Sequence, residues 1–349
     1  MTYLDYSATT KIDKDVLEVV ENDLFTKISE EQLEPYKKEI QNILNTELEV
    51  IITSGSSESN NMAIKGICNY TKKRTILTTK LEHSSVNETL DYLKTRGFKI
   101  IYLPLIDGII DLKKLEELIT DDISLITVSS VNSETGALQP INEIGKIAKK
   151  YNIPFHCDMT QNIGKLNIPF ENIDLVSFSA HKFYGPKGIG ILLKNKSLKI
   201  EKLVYGKRNY NLGLIKGLIK ALRIAQDHIE ENYKKVEDLN HYLTDNLKSL
   251  PSIIINQSKN SIPHILNISV LNYKPETFLH YLELNDIFIS TKSACSTSNS
   301  YSEAVLAITN DKKRAETSVR ISISFKTTKE ELDKLISVIE RNEHARQKI

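Results

Sequence analysis

The sequence predicts an α/β protein built on a mainly parallel sheet, with a smaller α+β unit after it. Residues 50 to 195 alternate short apolar runs with amphipathic helical stretches, the pattern of successive βαβ units. The later segment Val319 to Ser324 instead alternates with period two, and Lys329 to Arg341 reads as a closing helix. At 349 residues the chain has room for about two domains of ~150 residues and a full hydrophobic core.

The elements follow in order. Val50 to Thr53 reads as a strand, ended by Ser54-Gly55 and followed by a helical stretch from about Ser57 to Tyr70. Before it, Val16 to Leu44 runs as a Glu- and Lys-rich helical region. Arg74 to Thr78 is the next strand, Asn87 to Arg96 a helix stopped at Gly97, and Lys99 to Leu103 a strand. Asp111 to Ile119 sets Leu112, Leu115, Leu118 and Ile119 on one helical face, and Ser124 to Val128 continues as a strand. Ile141 to Lys150 is a helix, followed by strands at Pro154 to Cys157, Leu175 to Phe178 and Gly190 to Leu193. Leu212 to about Leu247 holds one extended helical pattern without proline, long enough to bridge two domains. Beyond Pro251, His264 to Leu271 reads as strand, Pro275 to Leu284 as helix and Ile287 to Ser290 as strand. Ser290 to Ser302 is serine-rich around Cys295, too polar and unpatterned for a core element.

Composition excludes several classes of function. Lys and Arg number 46 against 45 Asp and Glu, a net charge of +1, so no overall basic field favours nucleic acid. Runs such as Lys72-Lys73-Arg74 read as solvated faces. A hydrophobic content of 40% is globular, and no window approaches the ~20 apolar residues of a membrane span. Met1 to Tyr6 has neither a basic start nor an apolar run, so no secretory signal is expected. Cys68, Cys157 and Cys295 are odd in number and scattered, which points to a reducing cytoplasm rather than a disulfide framework. No third ligand at a useful spacing joins His156 and Asp158, so no metal site is expected.

Ligands of open α/β sheets bind beyond the carboxyl ends of strands, and two reactive residues stand there. Asp158 and Lys182 each follow a predicted strand. Alone, either is an ordinary surface or capping residue; together they suit pyridoxal phosphate (PLP), which needs a lysine amine and a carboxylate facing its pyridinium nitrogen. Lys182 sits between Ser177-Phe178-Ser179-Ala180-His181 and the turn Gly185-Pro186-Lys187-Gly188-Ile189-Gly190, in a tight loop. A phosphate needs a cup of donors, and Thr53-Ser54-Gly55-Ser56-Ser57-Glu58-Ser59-Asn60-Asn61 supplies one at a strand-to-helix turn. No GxxxxGK[ST] string is present, which excludes a Walker A loop.

These segments, with Leu4-Asp5-Tyr6-Ser7-Ala8-Thr9-Thr10, Glu82-His83, Asp158-Met159-Thr160-Gln161 and Ser293-Ala294-Cys295, resemble the NifS/IscS-like cysteine desulfurases of the class V aminotransferase group over nearly the whole chain. The resemblance implies the PLP-dependent transferase fold type I, with a seven-stranded sheet. It assigns residues 13–230 to the large domain, and 1–12 with 231–349 to an N-terminal arm plus small domain. It also implies that Lys182 bonds covalently to PLP, Asp158 pairs with the ring nitrogen, Gln161 hydrogen-bonds the phenolic oxygen and His83 stacks on the ring. Ser56, Ser57, Ser179 and His181 would hold the phosphate. Arg320 would clamp the carboxylate of L-cysteine. Cys295 would take the sulfur as a persulfide, releasing L-alanine, with Lys292 placed to lower its thiol pKa. Cys68 and Cys157 are assigned to packing. A homodimer and a sulfur-acceptor protein are further implied, for iron–sulfur cluster assembly, tRNA thiolation or a specialised product.

The chain departs from the family pattern in three places. A Gly-Asn-Pro-Ser-rich loop with a histidine is missing after the first helix. Val131-Asn132-Ser133-Glu134 puts Ser133 where the family has a cofactor-facing Asn. A long glycine-rich loop is cut to Tyr205-Gly206-Lys207-Arg208-Asn209-Tyr210-Asn211, with Asn209 nearest the position of a threonine that in the family reaches the dimer mate's phosphate. The altered rim leaves open a related PLP lyase or aminotransferase, or a sulfur-relay subunit that needs a partner.

Overall fold

The computed structural model describes residues 1–167, 169–271, 273–291 and 301–346. Seven strands form the large sheet: β1 (Glu49–Thr53), β2 (Thr75–Thr78), β3 (Lys99–Tyr102), β4 (Ile123–Ser129), β5 (Phe155–Asp158), β6 (Leu175–Ser179) and β7 (Gly190–Lys194). Their order is β1-β7-β6-β5-β4-β2-β3, and β7 alone is antiparallel to its neighbours.

The central strands are buried on both faces, which is why they read as unbroken apolar runs. Successive residues point to opposite sides, so Leu77, Ile126 and Leu193 join one core while Ile76, Leu125 and Leu192 join another. Helices Lys14–Asn22, Glu34–Leu44, Ile141–Lys150 and Leu212–Asp227 cover the first face. Helices Ser56–Tyr70 and Ser84–Thr95 cover the second. The result is a three-layer α/β unit.

A separate apolar cluster gathers Leu4 with residues from Val236 to Ile339. It packs against a three-stranded antiparallel sheet of β8 (Ile253–Ile255), β9 (Ile265–Val270) and β10 (Ser318–Ser322). Thr2–Tyr3 pairs in parallel with Ile287–Phe288, which ties the N-terminal arm to this unit.

Two expectations need correction. The helical pattern from Leu212 to Leu247 is two helices, Leu212–Asp227 and Ile229–Lys248, broken at His228 (φ −119°, ψ 15°). The first helix buries Leu218, Leu222 and Ala225 in the large core, whereas the second buries Val236, Leu243 and Leu247 in the small one. The break lets the chain pass from one core to the other, and Glu230 and Glu231 then sit in a new first turn, where a helix dipole favours them. The region Val16 to Leu44 is likewise two helices, Lys14–Asn22 and Glu34–Leu44, separated by strand Lys27–Ser29 and a 3-10 turn, Glu30–Leu33. Strand Ile253–Ile255 and helices Glu303–Thr309 and Lys312–Glu316 are too short for periodicity to reveal.

Candidate active site

Six strands of the large sheet run in one direction, so the residues after β1, β2, β4, β5 and β6 share one edge. A cavity of about 480 Å³ opens there. It is lined by Ser56 and Ser57 after β1, His83 after β2, Ser133 after β4, Asp158 and Gln161 at and after β5, and Ser179, His181 and Lys182 at and after β6. Residues up to 126 positions apart in sequence, Ser56 to Lys182, are neighbours because each ends a parallel strand.

The first turn of helix Ser56–Tyr70 forms one end. Its N-cap residue is Gly55, which has no side chain to cap the turn, and Ser56 and Ser57 line the cavity. The Ser56 N–H donates to Ser179 Oγ at 2.6 Å, and Ser179 Oγ donates to Ser56 Oγ at 2.9 Å. Glycine lets this turn lie directly on the sheet: a Cβ on Gly190 would meet Gly55 Cα and the Phe178 carbonyl oxygen at 2.6 Å. At Gly55 itself φ is +153°, and a Cβ would press on Ser179 Oγ at 3.3 Å. Burial and the adjacent Lys182 push His181 down to about 4, so its ring is neutral.

The opposite wall carries the carboxylate. Asp158 is buried, its Oδ2 accepting from Asn60 Nδ2 at 2.8 Å and its Oδ1 from the Thr160 N–H at 2.9 Å. Asn60 Nδ2 also donates to Ser85 Oγ at 2.9 Å, which lies 2.9 Å from His83 Nδ1. His83 caps helix Ser84–Thr95, with Nδ1 accepting from the Ser85 N–H at 3.1 Å. Burial holds its pKa below the usual histidine value, partly opposed by the charge of Asp158. A neutral ring with Nδ1 accepting carries its proton on Nε2. Asn60 is a site residue that sequence reasoning passed over, although its position four residues after Ser56 puts both on one helical face.

Lys182 Nζ donates to the carbonyls of Ser7 at 2.6 Å and Ala8 at 2.8 Å, drawing the N-terminal arm across the cavity. Glu82, beside His83, is buried between Thr79 Oγ1 at 2.6 Å and Ser129 Oγ at 2.5 Å, and burial raises its carboxyl to about 7.

Arg320 and Asn209 stand apart from this lining. Arg320 is 4% exposed, and its guanidinium donates to Asp5 Oδ1 and Ser290 Oγ, both at 2.7 Å, and to the Ser133 carbonyl at 2.9 Å. Its Nε is buried without a hydrogen-bond partner. The Ser133 contact joins Arg320 to the cavity wall. Asn209 belongs to strand Asn209–Asn211, paired with Lys27–Ser29, and lines a separate hollow of about 260 Å³ beside Glu58 and Arg208. Cys295 and Lys292 lie outside the described residues. Cys68 and Cys157 are buried in the two cores flanking the large sheet, and burial pushes both thiols up, Cys68 to about 12.

The donor set fits PLP. A helix start rich in hydroxyls at a glycine N-cap suits a phosphate dianion, and a hydrogen-bonded carboxylate suits a protonated ring nitrogen. An amide stands at Gln161 and an amine at Lys182 on the same cavity.

The comparisons with known proteins agree with that chemistry. The class-V aminotransferase family model matches residues 2–210 and 208–335. A cysteine desulfurase IscS of Clostridium botulinum is 36% identical, over 97% of this chain and 93% of its own length. A human cysteine desulfurase is 35% identical, over 95% of this chain and 79% of its own length. Among solved structures, a NifS-like protein superposes with a TM-score of 0.90 at 30% identity, each chain covered completely. A structure described as SspA in complex with cysteine gives 0.77 at 29% identity, over 94% of this chain and all of that one.

Proposed function

The chain belongs to the class V aminotransferase family and is a PLP-dependent cysteine desulfurase; from that premise we propose how its residues divide the work. One observation carries the proposal: nine of the candidate residues line a single cavity at the strand ends. Lys182 holds PLP through Nζ, Asp158 keeps the ring nitrogen protonated, and Gln161 donates to the phenolic oxygen. Ser56, Ser57, Ser179 and His181 hold the phosphate, with Ser133 at the rim; Asn209, on its own hollow, stands where the family's threonine reaches the partner subunit's phosphate. Bound PLP supplies an electron sink for charge developing on the amino acid. His83, on the cavity wall, would face the ring and keeps Nε2 to hold or move a proton, since Ser85 occupies Nδ1.

Arg320 takes the substrate carboxylate, a task suited to a planar guanidinium in a buried site. Cys295, as thiolate, attacks the sulfur of L-cysteine: an S–S bond forms, the C–S bond breaks and the carbon takes up a proton. The sum is L-cysteine plus the Cys295 thiol giving L-alanine plus a Cys295 persulfide. A homodimer in the cytoplasm that passes this sulfur to an acceptor protein, as in iron–sulfur cluster assembly, completes the reading; the three scattered cysteines support a reducing compartment. Among the described residues no helix is long and apolar enough to cross a membrane. The test is Cys295→Ala in the holoenzyme. Formation of alanine and sulfide from L-cysteine should fall close to background, and a wild-type rate would remove Cys295 from the mechanism.

A further inference from the structure

Gln161 is 7% exposed, and both ends of its amide are engaged. Its Nε2 donates to the Ser7 carbonyl at 3.1 Å, and its Oε1 accepts from Lys165 Nζ at 3.2 Å. An amide can occupy such a slot in two orientations that differ by exchanging O and N. The flipped orientation would put Oε1 against the Ser7 carbonyl, two acceptors facing each other, and NH₂ against a lysine nitrogen. The observed orientation satisfies both neighbours and uses one of the two Nε2 hydrogens. The second remains for the cavity that Gln161 lines.

Lys165 reaches Gln161 from behind. It lines a second hollow, of about 40 Å³, which it shares with Lys182, His264 and Tyr184. No carboxylate pairs with it among the described residues; Asp13, on the same hollow, is bound to Lys326 at 2.7 Å. Burial and the charge of Lys182 push its ammonium down to about 7. An amine kept without a counter-ion needs a reason, and the Gln161 contact supplies one.

We propose that Lys165 is a positioning residue: by holding Gln161 Oε1 it keeps Nε2 turned toward the cavity, where it donates to the phenolic oxygen of PLP. The inference rests on the reading of Gln161 given above. A donor at that oxygen stabilises its anionic form, so losing the donor makes the conjugated cofactor–lysine nitrogen more basic.

The experiment follows the pH midpoint of the visible absorbance band of bound PLP in the holoenzyme, for wild type, Lys165→Met, Gln161→Ala and the double variant. Lys165→Met replaces a buried amine with an apolar chain of similar length and should fold. It is expected to raise the midpoint by about 0.5–1 pH unit, the worth of one hydrogen bond. Gln161→Ala should raise it similarly, and the double variant should match Gln161→Ala alone, because Lys165 acts through that amide. If Lys165→Met moves the midpoint equally with and without Gln161, the shift comes from the lost charge alone and the positioning role is overturned. If Gln161→Ala leaves the midpoint unchanged, the assignment of Gln161 to the phenolic oxygen fails first, and the proposal with it.

Discussion

The two ends of the active site are built by different means. At the proposed cofactor end, the donor cup and the carboxylate wall come from strand ends of one sheet, tied by neutral hydroxyls and an amide: Ser56 to Ser179, Asn60 to Asp158 and Ser85. At the proposed substrate end, one buried cation collects groups from the N-terminal arm, the strand ends and the small domain: Asp5, Ser133 and Ser290 around Arg320. The first design spreads its stability over many modest hydrogen bonds, so each loss is local. The second concentrates it in one ion pair, and removing either partner leaves a buried charge.

Charge removal at the substrate end should therefore have the largest effect. Arg320→Gln strands the Asp5 carboxylate and deletes the proposed carboxylate clamp, so kcat/KM for L-cysteine should fall about 100-fold, roughly 3 kcal/mol, while the absorbance of bound PLP stays unchanged. Steady-state kinetics decide this. A loss under tenfold would mean that Arg320 serves only the Asp5 pair. Asn60→Ala probes the cofactor end and should act more weakly. Asp158 keeps the Thr160 N–H but loses the amide, so PLP should bind about tenfold less tightly, the worth of roughly one hydrogen bond to a charged group. Reconstitution of the apoenzyme with increasing PLP measures it, and an unchanged affinity would show that Asn60 does not support Asp158.

The smallest difference is one of pH. His156 is fully buried beneath Asp158 in β5, its two ring nitrogens within 2.9 Å of Thr127 Oγ1 and Ser177 Oγ, and burial pushes it down to about 4; His181 lies equally low. Below an unfolded pKa of about 6.5 the unfolded chain takes up protons that the native state refuses. Stability should then decline as pH falls from about 6.5 toward 4, with urea unfolding midpoints moving down at each step. Glu82, raised by burial to about 7, opposes part of this decline, so the comparison is made in Glu82→Gln, where a flat profile across that window would show that neither ring is held neutral.

How much of this was legible depends on distance along the chain. The cup from Thr53 to Asn61 is one turn and one helix start, so its residue types announce an anion site without any tertiary information. Asp158 and Lys182 are separated by 24 residues, yet strand-end logic brings them together, because parallel strands align their carboxyl ends. Asn60 was visible in the motif but silent as to role, since its partner lies 98 residues away. Asn209 is legible only through alignment of a shortened loop, and pairing with Lys27–Ser29 sets it on a hollow of its own beside Glu58 and Arg208.

The sequence alone determined what is periodic or local: the alternation of buried strands with amphipathic helices, the donor-rich turn before Ser56, and the lysine and carboxylate at strand ends. Tertiary structure alone decided which residue completes Arg320, since Asp5 lies 315 positions away on an arm paired with Ile287–Phe288. It also decided the break at His228, where no proline or glycine stands and only the change from one core to the other turns the helix. Periodicity records the side of an element that is buried, because that depends on each residue's own solvation. It does not record what the element is buried against, which is a property of the assembled chain.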